Sequence, residues 1–389
     1  KLLIICKPKK QFNMKNSVLK AFTLLLLVVT TNQFATHKPS SEKKEKQTIK
    51  VALLLDTSNS MDGLINQAKA QLWQIVNELS YAKYGMQKPN LEIALYEYGN
   101  SNLSAREGYI KQVLQFSNDL DEISEKLFSL TTNGGNEFCG QVIKTSLKEL
   151  SWGKNKNDLR LIFIAGNEPF TQGRINYKDA ITDAKEKGVT INTIFCGEYN
   201  NGISGMWQDG AKLGGGDYMT INQDKKIVHI ATPFDDEIII LNKKLNKTYI
   251  YYGNKGYSKY SNQKIQDANA LTISKEVEVK RTITKGSRLY DNSSWDLVDA
   301  EKKQKIDYKK IEKKKLPKEL QNKSEAEIKA YVKTKSKERA EIQKKIKELD
   351  AKRRSYIAKK QKEGSKKNEL NNVMIKAIKR QAKLKNYSW

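Results

Sequence analysis

The chain has 389 residues and a formal net charge of +27, yet it contains only two histidines. Its length accommodates one large domain with appendages, or two domains. Two histidines exclude a His-rich zinc site, and a Ser-His-Asp triad would have to use His229, around which no nucleophile elbow is found. Residues 1–50 carry a net +9 and residues 296–389 a net +17, which leaves residues 51–295 at +1. This nearly neutral centre argues against nucleic acid as a partner.

The first 35 residues are typical of a signal peptide with some upstream sequence. A short segment with basic residues follows Met14, and an apolar run covers residues 21–29. That run is too short to span a membrane, and small and polar residues follow it, as at a secretory cleavage site. We therefore predict cleavage after Ala35, export to the periplasm or cell surface, and no membrane-spanning segment in the remaining chain. Residues 36–48 are predicted to form a polar linker, because they have nothing to bury.

Between residues 49 and 245, apolar strands alternate with amphipathic helices. Fully apolar runs at 51–55 and 159–165 are typical of strands buried on both faces. The other predicted strands are 91–98, 109–116, 189–195 and 218–221, and the predicted helices are 64–83, 119–129, 138–150, 176–187, 204–213 and 233–246. This alternation predicts an α/β fold with a doubly wound, mostly parallel sheet. Such sheets bind ligands at the carboxyl ends of their strands.

After residue 245 the composition changes twice. In residues 246–295, which we interpret as a connecting layer, 263–271 fit a helix and 277–283 fit either a helix or a strand. In residues 296–389, Ser324 and Glu327 fit a capping box, and a break at Gly364-Ser365 separates two apolar stripes. This last pattern predicts a Lys-rich helical hairpin or coiled-coil-like arm.

The segment that follows the first predicted strand carries the candidate chemistry. Asp56, Ser58 and Ser60 place a carboxylate and two hydroxyls between a buried strand and a helix. Hard oxygen ligands suit Mg²⁺ first, with Ca²⁺ or Mn²⁺ as alternatives. A metal held by so few protein charges can accept a carboxylate from a partner. The alternative interpretation is an ordinary turn in which Ser60 caps the helix.

These three residues resemble the metal-ion-dependent adhesion site of the von Willebrand factor A (VWA) family, whose first loop has the pattern D-x-S-x-S. Asp56, Ser58 and Ser60 match that pattern position by position, and the resemblance extends over residues 49–245. It implies a doubly wound fold and a metal-centred surface that engages another protein.

The second and third loops depart from the family pattern. The family has a Thr after paired glycines, where this chain has Asn136 and Glu137. The family's third loop supplies an Asp, where this chain has Gly166, and Glu168 lies two residues further on. We predict Asn136, Glu137 and Glu168 as additional metal ligands. The alternative is that they serve only turns and helix starts.

Two cysteines, Cys139 and Cys196, remain after the predicted signal peptide is removed with Cys6. Both are placed near the metal-bearing edge of the predicted sheet. Export permits a disulfide between them, and two buried thiols are the alternative.

Taken together, these patterns predict an exported, non-enzymatic binding module that engages a carboxylate-bearing protein partner through a divalent cation. The sequence names no general base for a hydrolase. The alternative is a metal-free VWA scaffold whose basic C-terminal arm binds an anionic envelope polymer or mediates assembly.

Overall fold

The computed structural model describes residues 46–222, 230–362 and 370–389 of the protein. The predicted signal peptide and its cleavage site, residues 36–45 of the predicted linker, both histidines and the break at Gly364-Ser365 lie outside the described residues. The predictions made for them stay predictions.

Six of the eight described strands correspond to the predicted ones, and the two short strands β2 and β8 were not predicted. They are β1 (Thr48–Asp56), β2 (Lys83–Tyr84), β3 (Asn90–Tyr98), β4 (Ile110–Ser117), β5 (Leu159–Gly166), β6 (Thr190–Cys196), β7 (Gly215–Ile221) and β8 (Tyr387–Ser388). Six of them form one sheet in the order β4-β3-β1-β5-β6-β7, in which only β4 is antiparallel to its neighbour. The predicted doubly wound, mostly parallel sheet is therefore confirmed. Strand β1 lies between β3 and β5, so the chain order reverses beside it.

Thirteen α-helices are described. Those of the central region are α1 (Asp62–Ser80), α2 (Leu120–Phe128), α3 (Cys139–Glu149), α4 (Tyr177–Glu186), α5 (Tyr199–Ser204), α6 (Trp207–Leu213) and α7 (Asp235–Asn246). Those that follow are α8 (Gly256–Ile273), α9 (Lys275–Lys285), α10 (Leu297–Lys302), α11 (Lys318–Gln321), α12 (Glu325–Lys362) and α13 (Leu370–Leu384). Residues 277–283, which fit a helix or a strand by sequence, are helical. No helix of the described ranges is long and apolar enough to cross a membrane.

Each face of the sheet has its own core, because successive side chains of a strand point to opposite faces. In β1, Val51 and Leu55 belong to a first core, together with residues of α1, α2, α7, α9, α12 and α13. Ala52 and Leu54 belong to a second core, which α3, α4 and α6 cover. The apolar run of β1 is thus explained by burial on both faces.

The C-terminal helices pack onto the body of the molecule. The sequence had instead predicted a helical hairpin or a coiled-coil-like arm. Helix α12 contacts α7, α9 and α10, and α13 contacts α1 and β7. Helix α13 adds four residues to the first core: Met374, Ala377, Ile378 and Ala382. Residues Lys46–Trp389 form one compact unit. An apolar stripe shows that a helix packs, but not against which surface.

The predicted capping box at the start of α12 is confirmed. The Glu327 carboxylate accepts the Ser324 backbone N–H at 2.7 Å, and the Ser324 hydroxyl accepts the Glu327 N–H at 3.2 Å. These reciprocal bonds satisfy two of the N–H groups that a helix start leaves unpaired.

Candidate metal centre

Asp56 ends β1 at the carboxyl edge of the sheet, next to the point where the strand order reverses. Its side chain is fully buried, and its Oδ1 accepts the backbone N–H of Ser58 at 2.8 Å. Its Oδ2 is also buried and has no hydrogen-bond partner in the protein. An unpaired buried carboxylate oxygen is destabilising unless something else binds it.

The two serines of the first loop lie beside Asp56. A short turn at Asn59–Met61 separates β1 from α1, and the Ser58 and Ser60 hydroxyl oxygens are 3.2 Å apart. The Asn167 side-chain amide donates to the Ser60 oxygen at 3.2 Å. Asn167 was not among the predicted ligands. Its place in the third loop, next to Gly166, was the signal that could have indicated it.

Glu137 brings a second carboxyl group against the first. It is 4% exposed, and its Oε2 is buried without a partner in the protein. Burial raises the pKa of Asp56 to about 6. Burial, followed by the charge of Asp56, raises the pKa of Glu137 to about 9. The two carboxyls therefore face each other without a compensating positive charge from the protein.

Glycine at position 99 allows this close approach. Gly99 has φ +77°, and a Cβ there would lie 2.7 Å from Asp56 Oδ1 and 2.6 Å from Glu137 Cγ. A larger residue would adopt this backbone conformation with strain and would push the two carboxyls apart. Spacing along the chain gives no sign of this requirement.

The remaining predicted ligands, Asn136 and Glu168, differ from Glu137 in being exposed. Asn136 is exposed, whereas its neighbour Glu137 is buried. Glu168 is exposed, and it adds a smaller electrostatic contribution that raises the pKa values of Asp56 and Glu137. The structure thus brings together Asp56, Ser58, Ser60 and Glu137, with Glu168 nearby.

The donors at this centre fit a hard divalent cation. The two unpaired buried oxygens, Asp56 Oδ2 and Glu137 Oε2, would supply negative charge once a cation displaces the carboxyl protons, and the serine hydroxyls would supply neutral oxygens. No group of three or more His, Cys, Asp or Glu side chains suited to a metal occurs in the described part of the chain. Any cation here would therefore have two carboxylates, and hydroxyls, water or a partner would complete its coordination.

The two cysteines are free thiols, so the suggested disulfide is not formed. Cys139 is buried in the second core and Cys196 in the first. They lie on opposite faces of the sheet, since α3 covers one face while the Cys196 side chain points to the other. Sequence placed both near one edge but did not show the face that each occupies.

A mostly parallel sheet with an oxygen-rich centre at the carboxyl end of β1 defines a class of α/β binding domains. Residues 50–203 match the model of the von Willebrand factor type A domain.

The similar solved structures share little sequence with the chain. One is the conserved hypothetical protein BatB from Bacteroides thetaiotaomicron, at 18% identity, with 44% of this chain and 90% of that chain covered and a TM-score of 0.33. Another is the SpRpn10 VWA domain, at 17% identity, with 46% and 90% covered and a TM-score of 0.35. A third is proximal thread matrix protein 1 from the mussel byssus with a zinc-occupied MIDAS motif, at 15% identity, with 43% and 48% covered and a TM-score of 0.30. No curated protein is significantly similar in sequence.

Proposed function

We propose that this protein binds a divalent cation, Mg²⁺ first, through Asp56, Glu137, Ser58 and Ser60, and through that cation a carboxylate of a protein partner. The VWA family supports a binding role in general. The observation that supports metal binding is the pair of buried, unpaired oxygens on two facing carboxyls. The role proposed is binding and not catalysis, in the periplasm or at the cell surface.

The bound cation would supply positive charge at the surface and an open coordination position. Glu137, from the second loop, replaces the carboxylate that the family resemblance expects at Gly166. Asp56 and Glu137 together balance the charge of one divalent ion. The open position would then be taken by water or by the partner's carboxylate.

Calorimetric titration of the full chain with Mg²⁺, Mn²⁺ and Ca²⁺ tests this proposal. We expect heat of binding in the wild type and none in Asp56→Ala or Glu137→Gln. The matched control is Glu168→Gln, which removes an exposed charge near the centre and should bind more weakly but still measurably. Equal heats in the wild type and in Asp56→Ala would refute the metal site.

Thermal unfolding in EDTA gives an independent check. A glutamine at position 137 can donate an N–H to the Asp56 carboxylate, and it avoids the proton that the Glu137 carboxyl has to take up when it is buried beside Asp56. We expect Glu137→Gln to stabilise the metal-free protein by about 1–3 kcal/mol, the usual effect of an unsatisfied buried group. Metal should no longer raise its unfolding temperature.

A second candidate function rests on the exposed face of α12. This helix of 38 residues is about 57 Å long. The exposed lysines of this helix include Lys329, Lys333, Lys337, Lys344, Lys347, Lys352 and Lys359. The exposed Glu341 and Glu348 lie among these lysines, but the lysines outnumber them, and this excess of positive charge fits a linear anionic polymer of the envelope, as in the metal-free alternative.

Binding to inorganic polyphosphate chains tests this second candidate. Changing Lys333, Lys337, Lys344 and Lys352 together to Gln should lower both the affinity and its dependence on salt. The matched control changes the same four residues to Arg, which keeps the charge. Unchanged binding by the Gln variant would exclude this face of α12 as a polymer site.

A further inference from the structure

The corner between α5 and α6 exposes a small apolar patch beside the third loop. We call Tyr199, Ile203, Met206 and Tyr218 the corner patch. Tyr199 is 51% exposed and Met206 43% exposed, and the other two are partly exposed. The Tyr199 and Tyr218 rings are 5.2 Å apart, and the Tyr218 hydroxyl donates to the Tyr199 carbonyl at 2.7 Å. The aromatic part of the patch is therefore held in place.

The corner patch is joined directly to the loop that borders the candidate metal centre. Trp207, which follows Met206, donates its indole N–H to the Glu168 carbonyl at 2.8 Å. Its ring also lies 3.1 Å from where a Cβ of Gly166 would be, and Asp56 Oδ2 lies 3.1 Å from the same point. One indole thus separates the patch from the carboxylate of Asp56.

Met206 has a backbone conformation that disfavours methionine. Its φ is +68° and its ψ is 13°, in the left-handed region, and its side chain does not cap α6. A glycine would adopt this conformation without strain, yet the chain has a large, flexible apolar side chain there and exposes it to water. Strain of this kind at an exposed position points to a use for that side chain.

Charge limits the kind of partner that fits. Two exposed carboxylates belong to the segments next to the patch. Glu168 lies in the third loop, and Glu198 immediately precedes α5. These carboxylates disfavour a polyanion, whereas an apolar side chain beside a single metal-bound carboxylate is compatible with them. Flexible methionine and tyrosine surfaces are well suited to binding protein segments.

We propose that the corner patch is the second contact for the partner at the metal. The partner is a protein segment that places an aspartate or glutamate on the cation and a large apolar side chain, a few residues away, on Met206 and Tyr199. This inference rests on the proposed function, because the cation supplies the first contact.

Selection from a phage-displayed random peptide library tests the inference. The full chain is used as bait in Mg²⁺, and the bound phage are released with EDTA. We expect the released peptides to share an acidic residue with an aromatic or large aliphatic residue nearby. Acidic peptides without such a neighbour, or no peptide that EDTA releases, would overturn the inference.

Variants then separate this inference from the proposed function. Met206→Gly and Tyr199→Ser should each weaken the binding of a selected peptide at least tenfold and leave the heat of Mg²⁺ binding unchanged. Met206→Gly should also raise the unfolding temperature by about 2 °C, since it relieves backbone strain. The control is Leu213→Ser, which changes an exposed apolar residue at the far end of α6. It should alter neither the affinity for the peptide nor the heat of Mg²⁺ binding. Unchanged peptide affinity in both patch variants refutes the inference, whereas absent Mg²⁺ heat in the wild type refutes the proposed function.

Discussion

A side chain at position 166 would overlap the Tyr98 hydroxyl beside Asp56. A Cβ at position 166 would lie 2.6 Å from the Tyr98 hydroxyl, which donates to the Ala165 carbonyl at 2.9 Å. An aspartate at this position, as the family pattern has it, therefore has no room while Tyr98 is present. The second carboxylate of the centre reaches it from Glu137 instead.

The contact between these two residues predicts a coupled effect on stability. Gly166→Ala should lower the free energy of unfolding by about 1–3 kcal/mol, because the added methyl group overpacks the site. In a Tyr98→Phe background the same change should be less destabilising, since the clashing oxygen is gone. Urea unfolding of the two single variants and the double variant measures the coupling. Strictly additive effects would contradict the steric explanation.

Only part of the candidate site could be predicted from sequence. Asp56, Ser58 and Ser60 are local in the chain, so their pattern sufficed to bring them together. The choice of Glu137 over Asn136 depends on which side chain a loop turns inward, and sequence spacing does not determine that. The exclusion of an aspartate at position 166 depends on Tyr98, which belongs to a different strand.

A buried cluster of charges joins α8 and α9 to the body. Arg281 and Lys285 of α9 are almost completely buried, and both contact Asp267 of α8. Arg281 also pairs with Asp121 at the start of α2, at 2.9 Å. Removing one member of such a cluster leaves a buried charge without a partner.

This cluster predicts a pH dependence of stability. Burial alone would raise the pKa of Asp267, but the charges of Lys285 and Arg281 outweigh it and hold the pKa well below the ordinary 3.8. The stabilisation is therefore complete above about pH 4 and is lost as the pH falls further toward the folded-state pKa. Asp267→Asn should lower the free energy of unfolding by about 3–5 kcal/mol at pH 7.

Urea unfolding at pH 7, 4 and 2.5 measures this effect. The difference between wild type and Asp267→Asn should shrink as the pH falls below 4. The control is Asp236→Asn, an exposed ion-pair partner of Lys275, which should have little effect at any of these values. A constant difference across the range would show that the charge of Asp267 is not responsible.

A buried glutamine of α13 forms polar contacts with two strands of the sheet. Gln381 is hydrogen-bonded to the fully buried Asn192 of β6 and donates to Asp217 of β7 at 2.9 Å. The Asn192 side chain also accepts the Asp217 backbone N–H at 3.0 Å. Gln381 therefore helps to set the position of α13 along β6 and β7.

Loss of that contact should destabilise the protein. Gln381→Leu removes one of the hydrogen-bond partners of the buried Asn192 amide, so we expect a loss of about 1–3 kcal/mol in the free energy of unfolding. Lys383→Ala on the exposed side of α13 is the matched control and should be nearly neutral. Thermal and urea unfolding distinguish the two. An equal loss in both variants would mean that Gln381 has no special role.

The central strands and helices were predictable because each carries its own period of apolar residues. The predicted run at 159–165 and the observed β5 at Leu159–Gly166 differ by one residue. The packing of α12 and α13 was not predictable, because it depends on contacts with distant residues such as Asn192. The predicted arm rested on two apolar stripes, which indicate that each helix packs but do not identify the surface that it packs against.

The C-terminal region and the metal centre contact opposite ends of α1. Asp56 lies just before this helix, whereas Lys379 of α13 and Arg354 of α12 pair with Glu78 in its last turn, at 3.0 and 3.9 Å. Nineteen residues of helix, about 28 Å, separate the two ends. These two ion pairs thus attach the helical region to the end of α1 that is distant from the proposed partner surface.

Because α13 fills part of the first core, the domain should not fold without it. A chain that lacks residues 370–389 exposes apolar surface of α1 and the sheet, so we expect it to lose its cooperative thermal transition and to bind the dye ANS. Circular dichroism and dye fluorescence provide the measurement. A truncated chain that melts cooperatively at the wild-type temperature would show that the VWA domain is independent of α13.

The position of Asp56 at the end of β1 also has a mechanical consequence. If a partner held at Asp56 is pulled against the segment that precedes Thr48, the tension runs along β1, which hydrogen-bonds with β3 on one side and β5 on the other. Force along a strand loads these bonds in parallel, whereas force across it would break them one after another. We expect single-molecule stretching along this axis to require more force than stretching between β4 and β7, and equal forces would exclude this shear geometry.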